Sequence, residues 1–257
     1  MLEQTKEILS NLQWFGALDL LDQRIQEANT HGWTPTEFLT TVAMDEKLRR
    51  DSAKIKRRIR QAHFRTQASL ERWDYVEDRG IKKSQIQELM SFRFLKTGQN
   101  VFINGPTGIG KTFLATAVGE YACRSGFTCS FMGITVLTEK LAMSRVDNTY
   151  LKLRERLSKQ DLLIIDDIGL KKLSQDMAVD LHEILEDRQD KSTLFTTQLP
   201  LKNWGEIIDD PLTLDAIADK LKNGTLEINL RGKVTMRKKK NPALDLDNHI
   251  VPVEIAH

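Results

Sequence analysis

The stretch NVFINGPTGIGKTFLATAVGEYA, residues 100–122, contains the pattern that decides the fold. A short apolar strand precedes the glycine-rich segment GPTGIGKT, residues 105–112, and an alanine-rich helix follows it. Gly105, Gly110, Lys111 and Thr112 satisfy the pattern G-x-x-x-x-G-K-[ST] in the strand–loop–helix context that it requires. We therefore predict a phosphate-binding loop within an α/β domain.

The residue types in this loop predict how a nucleotide would bind. Glycine lets successive backbone N–H groups point at phosphate oxygens, and the helix N-terminus adds a partial positive charge. Lys111 is expected to contact the β- and γ-phosphates, and the Thr112 hydroxyl to ligate Mg²⁺. The candidate ATP-binding residues are Gly105, Pro106, Thr107, Gly108, Ile109, Gly110, Lys111, Thr112 and Phe113.

A second acidic motif, LLIIDDIG, occupies residues 162–169. Four apolar residues followed by an acid predict a buried strand with a carboxylate at its C-terminal edge, where ligands bind in open α/β sheets. We assign Asp166 to Mg²⁺, together with Thr112, and Asp167 to orienting or deprotonating the attacking water. Because adjacent strand residues point to opposite faces, the two acids are expected to have separate roles.

Short apolar strands alternate with helices from about residue 86 onward, which predicts a parallel sheet covered by helices on both faces. The stretch LFTTQ, residues 194–198, reads as a strand with a polar end. We expect it between the strands of the loop and of Asp166, or beside one of them. Gln198 could then hydrogen-bond to phosphate or to water.

The N-terminal residues 1–73 read as helical, with Thr34, Pro35 and Glu37 forming a helix-start signature. Residues 47–72 contain ten lysines and arginines against two acids, and the basic side chains are expected on most sides of a helix. This imbalance predicts salt-sensitive, sequence-independent binding of double-stranded DNA. The candidate DNA contacts are Arg49, Arg50, Lys54, Lys56, Arg57, Arg58, Arg60 and Arg65.

These patterns predict a helical domain at 1–73, a connector at 74–85 and an α/β domain at 86–257. The N-terminus lacks the apolar core of a signal peptide, and no apolar run approaches the ~20 residues of a membrane helix. Cys123 and Cys129 have neither disulfide-framework nor metal-ligand spacing. We therefore expect a cytoplasmic protein with no membrane partner.

Together, GPTGIGKT and LLIIDDIG resemble the Walker A and Walker B motifs of AAA+ ATPases of the IstB/DnaC type. TTQLP, at 196–200, resembles the sensor-1 segment and implies that Gln198 senses the γ-phosphate. DPLTLDAIADKL, at 210–221, resembles the segment that carries an arginine finger and implies a catalytic role for Lys220. RGKVTMRKKK, at 231–240, resembles the sensor-2 segment and points to Arg237.

Two residues depart from the family pattern. Lys220 replaces the usual arginine and lacks the planar fork that grips phosphate, so Arg231 or Arg237 could take over that role. Asp167 replaces the usual glutamate and reaches one methylene less. The resemblance therefore implies slow ATP hydrolysis, stimulated by DNA and by assembly.

TPTEFLTTVAMDEKLRRDSAKIKRRIR, residues 34–60, also resembles the IstB N-terminal segment, so we favour an IstB transposition helper. The resemblance implies ATP and Mg²⁺ as cofactors, a homo-oligomer formed through AAA+ interfaces, and a partner transposase that the protein stimulates or targets. Two alternatives stay open: a DnaC-like replicative helicase loader, and a nucleotide-gated DNA-binding protein with negligible hydrolysis. A small-molecule P-loop kinase would need an acceptor pocket and a mobile lid, which the C-terminal segments do not suggest.

Overall fold

The computed structural model describes residues 1–70, 73, 80–222 and 224–232. The chain divides into two compact units, 1–60 and 61–257, so this division falls earlier in the chain than residue 73. The predicted connector, 74–85, is described only from residue 80 onward. The assignment of 1–73, 74–85 and 86–257 as domains therefore stays a prediction.

The first unit consists of three helices, α1 (Leu2–Asn11), α2 (Phe15–His31) and α3 (Pro35–Ala62), the last of which ends two residues into the second unit. The predicted start of α3 is confirmed. The Thr34 backbone N–H donates to Glu37 Oε2 at 2.7 Å, and the Glu37 N–H donates to Thr34 Oγ1 at 3.3 Å. This reciprocal capping satisfies two amide groups that the first helical turn leaves without partners.

Helices α2 and α3 pack closely around a small apolar core of Ala17, Leu21 and Val42. A Cβ atom at Gly16 would lie 2.7 Å from Arg49 Cβ, so only glycine permits this approach. The Gly16 N–H donates to Glu46 Oε2 at 2.7 Å. Polar contacts to buried carboxylates therefore supplement the apolar core of this unit.

The second unit alternates helices with strands, as predicted. Its elements are α4 (Lys83–Met90), α5 (Arg93–Lys96), β1 (Val101–Asn104), α6 (Lys111–Arg124), β2 (Cys129–Gly133), α7 (Ile134–Val146), α8 (Tyr150–Ser158), β3 (Leu162–Ile168), α9 (Gln175–Glu186), β4 (Ser192–Thr197), α10 (Pro211–Lys222) and β5 (Leu226–Asn229). A 3₁₀ turn at Leu201–Glu206 precedes α10.

The five strands form one parallel sheet in the order β2-β3-β4-β1-β5. Strand β4 lies between β1 and β3, which confirms the predicted position of LFTTQ. The carboxyl ends of β1, β3 and β4 therefore meet at one edge of the sheet, where the glycine-rich loop begins.

The strands β1 to β4 are buried along almost their whole length, since helices cover the sheet. On one face, the rings of Phe102, Phe195 and Trp204 pack with centroids 4.8–5.9 Å apart. The predicted α/β fold, a parallel sheet flanked by helices after an all-α N-terminal segment, is confirmed. Within the described ranges, no helix combines the length and the apolar character needed to cross a membrane.

Candidate functional site: a phosphate-binding edge of the sheet

The glycine-rich loop connects β1 to α6 and lies against Leu230, the residue that follows β5. Gly105 has φ 154° and Gly110 has φ 106°, backbone conformations that favour glycine. A Cβ atom at Gly105 would lie 2.7 Å from the Leu230 carbonyl oxygen. Within the loop, the Ile109 side chain is buried. The first helical bond after the loop runs from Leu114 N–H to Gly110 O. The preceding amide groups lie at the positive end of α6, which suits an anion.

Lys111 is folded back onto the loop that it follows. Its Nζ donates to Gly105 O at 2.7 Å and to Pro106 O at 3.0 Å. Burial lowers the pKa of Lys111, while the nearby charges of Asp167 and Asp166 oppose that effect. The ammonium group is therefore poised between the loop and both acids of β3, at the position where a polyphosphate would need a cation.

Asp166 is fully buried and is held by hydroxyl groups from two other elements. The Thr112 hydroxyl, on α6, lies 3.1 Å from both carboxylate oxygens of Asp166. The Thr196 hydroxyl, on β4, donates to Asp166 Oδ1. The structure thus brings together Thr112 and Asp166, the two predicted metal-binding residues, whose hard oxygen atoms suit Mg²⁺.

The environment of Asp166 opposes its ionisation in part. Burial raises the pKa of this carboxyl, and the neighbouring charge of Asp167 raises it further. Hydrogen bonds from Thr196 and Thr112 and the positive charge of Arg65 lower it, without cancelling the rise. A bound cation would stabilise the ionised form, so this carboxylate is suited to receive one.

We expected the side chains of Asp166 and Asp167 to point to opposite faces by simple strand alternation. Instead, β3 is locally irregular at these two residues. The pairing of β3 with β4 shifts register between Ile165 and Ile168, and Asp167 has φ 64°. Aspartate is among the few residues that tolerate this left-handed conformation. The Asp167 N–H donates to Thr196 Oγ1 at 2.9 Å. A bulge therefore sets the direction of the second carboxylate.

The remaining predicted site residues lie in different places. Gln198 is exposed directly after β4, at the carboxyl edge of the sheet. Lys220, on α10, forms an ion pair with Glu186 at 2.7 Å. Phe113, the last predicted nucleotide-binding residue, packs with its ring centroid 6.2 Å from that of Trp73. Arg237 lies outside the described residues.

Thr196 is a residue of the site that the sequence did not predict. Its hydroxyl accepts from the Asp167 N–H and donates to Asp166, so one side chain positions both acids. The two threonines that end β4 were a signal, but the choice between them depends on the register of β4 against β3. With Thr196 included, the site can hold a polyphosphate and a hard cation beside a second carboxylate able to accept a proton.

The candidate DNA-contact residues fall into two groups in the structure. Seven lie on the second half of α3, from Arg49 to Arg60, where the cations occupy an arc of about 200° at 100° per residue. The rest of the circumference contains an apolar stripe of Met44, Leu48, Ile55 and Ile59. The cations therefore cover more than half of the circumference, and the apolar stripe makes α3 amphipathic. Arg65 lies apart, beyond the end of α3.

Partners within the first unit engage some of these cations. Arg50 forms an ion pair with Glu46, Lys54 lies 3.3 Å from Asp51, and the Arg49 guanidinium lies 4.9 Å from the centroid of Phe15. By contrast, four cations form no hydrogen bond or ion pair with another described residue: Lys56, Arg57, Arg58 and Arg60. The end of α3 is thus the part of the helix best able to bind phosphates.

Comparisons with known proteins agree with this site. Residues 8–243 match the family described as "IstB-like ATP binding protein". The chain is 34% identical over 234 residues to a Sinorhizobium fredii protein named "Putative insertion sequence ATP-binding protein", covering 91% of this chain and 96% of that protein.

Two solved structures show the same fold at low sequence identity. DnaI matches with a TM-score of 0.57 and 20% identity, over 64% of this chain and 92% of that chain. The DnaC helicase loader matches with a TM-score of 0.51 and 20% identity, over 64% of this chain and 97% of that chain. Because the family match spans most of the sequence and includes the loop and both acids of β3, the chain belongs to the IstB-like ATP-binding protein family.

Proposed function

We propose that this protein is an ATP-dependent, DNA-binding transposition helper. It binds Mg²⁺ and ATP at the glycine-rich loop, hydrolyses ATP slowly, assembles with further copies on double-stranded DNA, and stimulates or targets a partner transposase. The observation that carries the proposal is the convergence of Thr112, Asp166 and Thr196 at the edge of the sheet beside Lys111.

The residues of the site fit a nucleoside triphosphate with Mg²⁺. The amide groups at the start of α6 and the Lys111 ammonium would hold the phosphates. Thr112 and Asp166 would hold Mg²⁺. The bound metal would neutralise charge on the transferring phosphoryl group.

Four further residues are assigned to the hydrolysis step itself. Asp167 would accept a proton from the attacking water, and its position beside Lys111 and Asp166 supports this role. Gln198 would contact the γ-phosphate from the end of β4. Lys220 and Arg237 would act on the site of a neighbouring copy, and the pairing of Lys220 with Glu186 within one chain supports slow turnover before assembly.

The end of α3 supports the DNA-binding part of the proposal. Lys56, Arg57 and Arg60 are exposed and Arg58 is half-buried, within a helix segment that has few acids. Cations of this kind contact backbone phosphates and release counterions, which gives affinity without sequence preference. The insertion-sequence origin named for the Sinorhizobium fredii relative supports a transposase as the partner.

One experiment addresses assembly and another the partner. Sedimentation and electron microscopy with a non-hydrolysable ATP analogue and duplex DNA should reveal assemblies that neither component produces alone; monomers under all conditions would contradict the oligomer.

Pull-down assays should capture the transposase encoded with the protein. Capture of a replicative helicase alone would favour a helicase loader.

A second candidate, a nucleotide-gated DNA-binding protein with negligible hydrolysis, is favoured by the conformation of Asp167. The carboxylate is shorter than glutamate and its backbone is fixed at φ 64° by the bulge. A single-turnover measurement with radiolabelled ATP in the DNA-bound assembly separates the two candidates, because only a hydrolysing enzyme releases phosphate at a rate above that of the Lys111→Ala variant.

A further inference from the structure

The segment that follows α3 has no role in the function described so far, yet it is attached to the sheet at the nucleotide site. Helix α3 ends at Ala62, and His63 adopts φ 57°, a left-handed conformation typical of helix C-termini. From there the chain runs without helix or strand as far as Ser69. Arg65 lies in this segment, three residues beyond the helix.

Two residues, Phe64 and Ala68, anchor this segment on either side of Arg65. The Phe64 ring packs edge-to-face against Phe131 of β2, with centroids 6.1 Å apart. It also lies so close to Gly119 of α6 that a Cβ atom there would be 2.7 Å from the ring. The Ala68 N–H donates to Glu120 Oε1 at 3.0 Å. Because both anchors lie on α6 or β2, the backbone of Arg65 is held against the elements that build the nucleotide site.

The Arg65 guanidinium lies over Gly133, the last residue of β2. A Cβ atom at Gly133 would lie 2.5 Å from Arg65 Nη2 and 3.3 Å from Cζ, and its three nearest atoms would all belong to Arg65. Gly133 pairs with Asp166 in the register of β2 and β3, and neighbouring strands lie about 4.8 Å apart. Arg65 is therefore one strand away from the predicted metal-binding acid.

The charge of Arg65 acts on the site although the guanidinium has no fixed partner there. Burial dominates the raised pKa of Asp166, and Arg65 is among the groups that lower it. Arg65 forms no hydrogen bond or ion pair with another residue that the structure describes. The Arg65 side chain is exposed and its backbone is anchored through Phe64 and Ala68, so its five donors are available to a phosphate.

We propose that Arg65 belongs to the nucleotide site of its own chain, where its guanidinium contacts the terminal phosphate of a bound nucleoside triphosphate. This assignment rests on the proposed function and replaces the prediction that Arg65 contacts DNA. Arg65 thereby distinguishes a triphosphate from a diphosphate, because only the triphosphate carries the group that it contacts. The segment of residues 63–68 positions it through Phe64 and Ala68.

The test compares the affinities of two nucleotides in the full-length protein. In wild type and Arg65→Ala, Kd is measured for a non-hydrolysable ATP analogue and for ADP, with Mg²⁺. We expect Arg65→Ala to weaken binding of the analogue about 10- to 100-fold, the loss typical of one charge-assisted contact, and to change ADP binding little. Arg65→Lys should restore part of the difference, since it keeps the charge without the fork.

Gly133→Ala provides an independent way to displace the guanidinium without removing its charge. Gly133 has φ −72°, which alanine adopts without strain. The added methyl should weaken analogue binding in wild type but have little further effect in Arg65→Ala, where the clashing atoms are absent. Additive losses in the double variant would contradict a shared mechanism.

Two outcomes separate the failures. If wild type binds neither nucleotide, the proposed function is wrong and the assignment of Arg65 falls with it. If wild type binds the analogue and Arg65→Ala binds it equally well, only the assignment of Arg65 is wrong. The same variants are measured for nucleotide-free binding to duplex DNA. Weaker DNA binding with unchanged preference for the analogue would return Arg65 to the DNA-contact group.

Discussion

The Thr196 hydroxyl donates a hydrogen bond to Asp166 Oδ1 and accepts one from the backbone N–H of Asp167, at 2.9 Å. Both Thr196 and Asp166 are fully buried. One hydroxyl on β4 therefore fixes the side chain of the first acid and the backbone of the second. The direction of both carboxylates depends on a buried residue of the neighbouring strand.

Replacing Thr196 with valine should impair metal-dependent nucleotide hydrolysis while the fold is retained. Valine keeps the β-branched shape but leaves Asp166 with Thr112 as its hydroxyl donor and removes the acceptor for the Asp167 N–H. Removal of such an outer partner of a metal-binding carboxylate typically costs about 10- to 100-fold in metal affinity or activity. The measurement is the Mg²⁺ dependence of the single-turnover rate.

Thr116→Val is the matched control for this change. Thr116 is also fully buried, on α6, but its hydroxyl has no hydrogen-bond partner among the residues that the structure describes. Removing an unsatisfied buried hydroxyl should leave activity unchanged and keep or raise Tm. Equal losses of activity in both variants would show that the effect of Thr196→Val reflects packing of the sheet and not the positions of the acids.

The Asp167→Asn variant should bind nucleotide normally and lose hydrolysis. Asparagine tolerates the left-handed backbone at φ 64°, so the bulge is kept while the carboxylate is lost. Loss of a group that accepts the proton of water reduces rates by about 10²- to 10⁴-fold. Phosphate release from ATP is measured in a single turnover, and the Kd for a non-hydrolysable ATP analogue is the control for binding. An unchanged rate would exclude Asp167 as the proton acceptor.

The loop and the acids of β3 were predictable because each is a local pattern. A strand, a glycine-rich turn and a helix are contiguous in the sequence, and Lys111 and Thr112 follow directly. Asp166 ends a run of four apolar residues, and its proximity to Thr112 follows from the general rule that ligands bind at the carboxyl ends of parallel strands. The fold could be predicted for the same reason.

Contacts that join distant segments were not predictable in this way. The choice of Thr196 over Thr197 depends on the register of β4 against β3, which shifts at the bulge. The position of Arg65 depends on how Phe64 packs against β2 and α6. In the sequence, Arg65 is one more cation in a basic stretch, and only the end of α3 at Ala62 separates it from the others.

Replacing Arg57, Arg58 and Arg60 together with alanine should weaken DNA binding without changing nucleotide affinity. These cations have no partner in the described part of the chain, so their removal breaks no ion pair there. The slope of log K against log salt should become shallower by about 0.9 for each DNA phosphate that the variant no longer neutralises. Fluorescence anisotropy with duplexes of two unrelated sequences measures both the affinity and the slope.

A control removes the same number of charges from the second unit. Lys83, Lys96 and Lys202 are exposed there, so their replacement with alanine changes net charge equally. We expect a much smaller effect on the salt slope than for the arginine variant. Equal effects would show that overall charge, and not the end of α3, governs DNA binding, and would contradict the proposed contacts.

Glu46 should make the first unit sensitive to acid. Burial by itself would raise the pKa of Glu46, but hydrogen bonds from Arg50 and from the Gly16 and Ala17 backbone lower it below its ordinary value of 4.5. A carboxyl whose pKa is lower in the folded state than in the unfolded state stabilises the fold at any pH above about 4.5. This stabilisation is lost as the pH falls through the folded-state pKa. The unit should therefore lose stability as the pH falls below about 4.5.

Glu46→Gln tests this contribution, because glutamine keeps an acceptor for Gly16 N–H but has no charge for Arg50. At pH 7 the variant should be less stable by about 1–3 kcal/mol, the usual effect of a hydrogen bond to a charged group, and this difference should shrink as the pH approaches 3. Hydrogen exchange of peptides within residues 15–50 measures the stability of this unit in the full chain. Glu7→Gln, an exposed carboxyl on α1, is the control. A difference that stays constant with pH would mean that the charge of Glu46 does not stabilise the packing of α2 on α3.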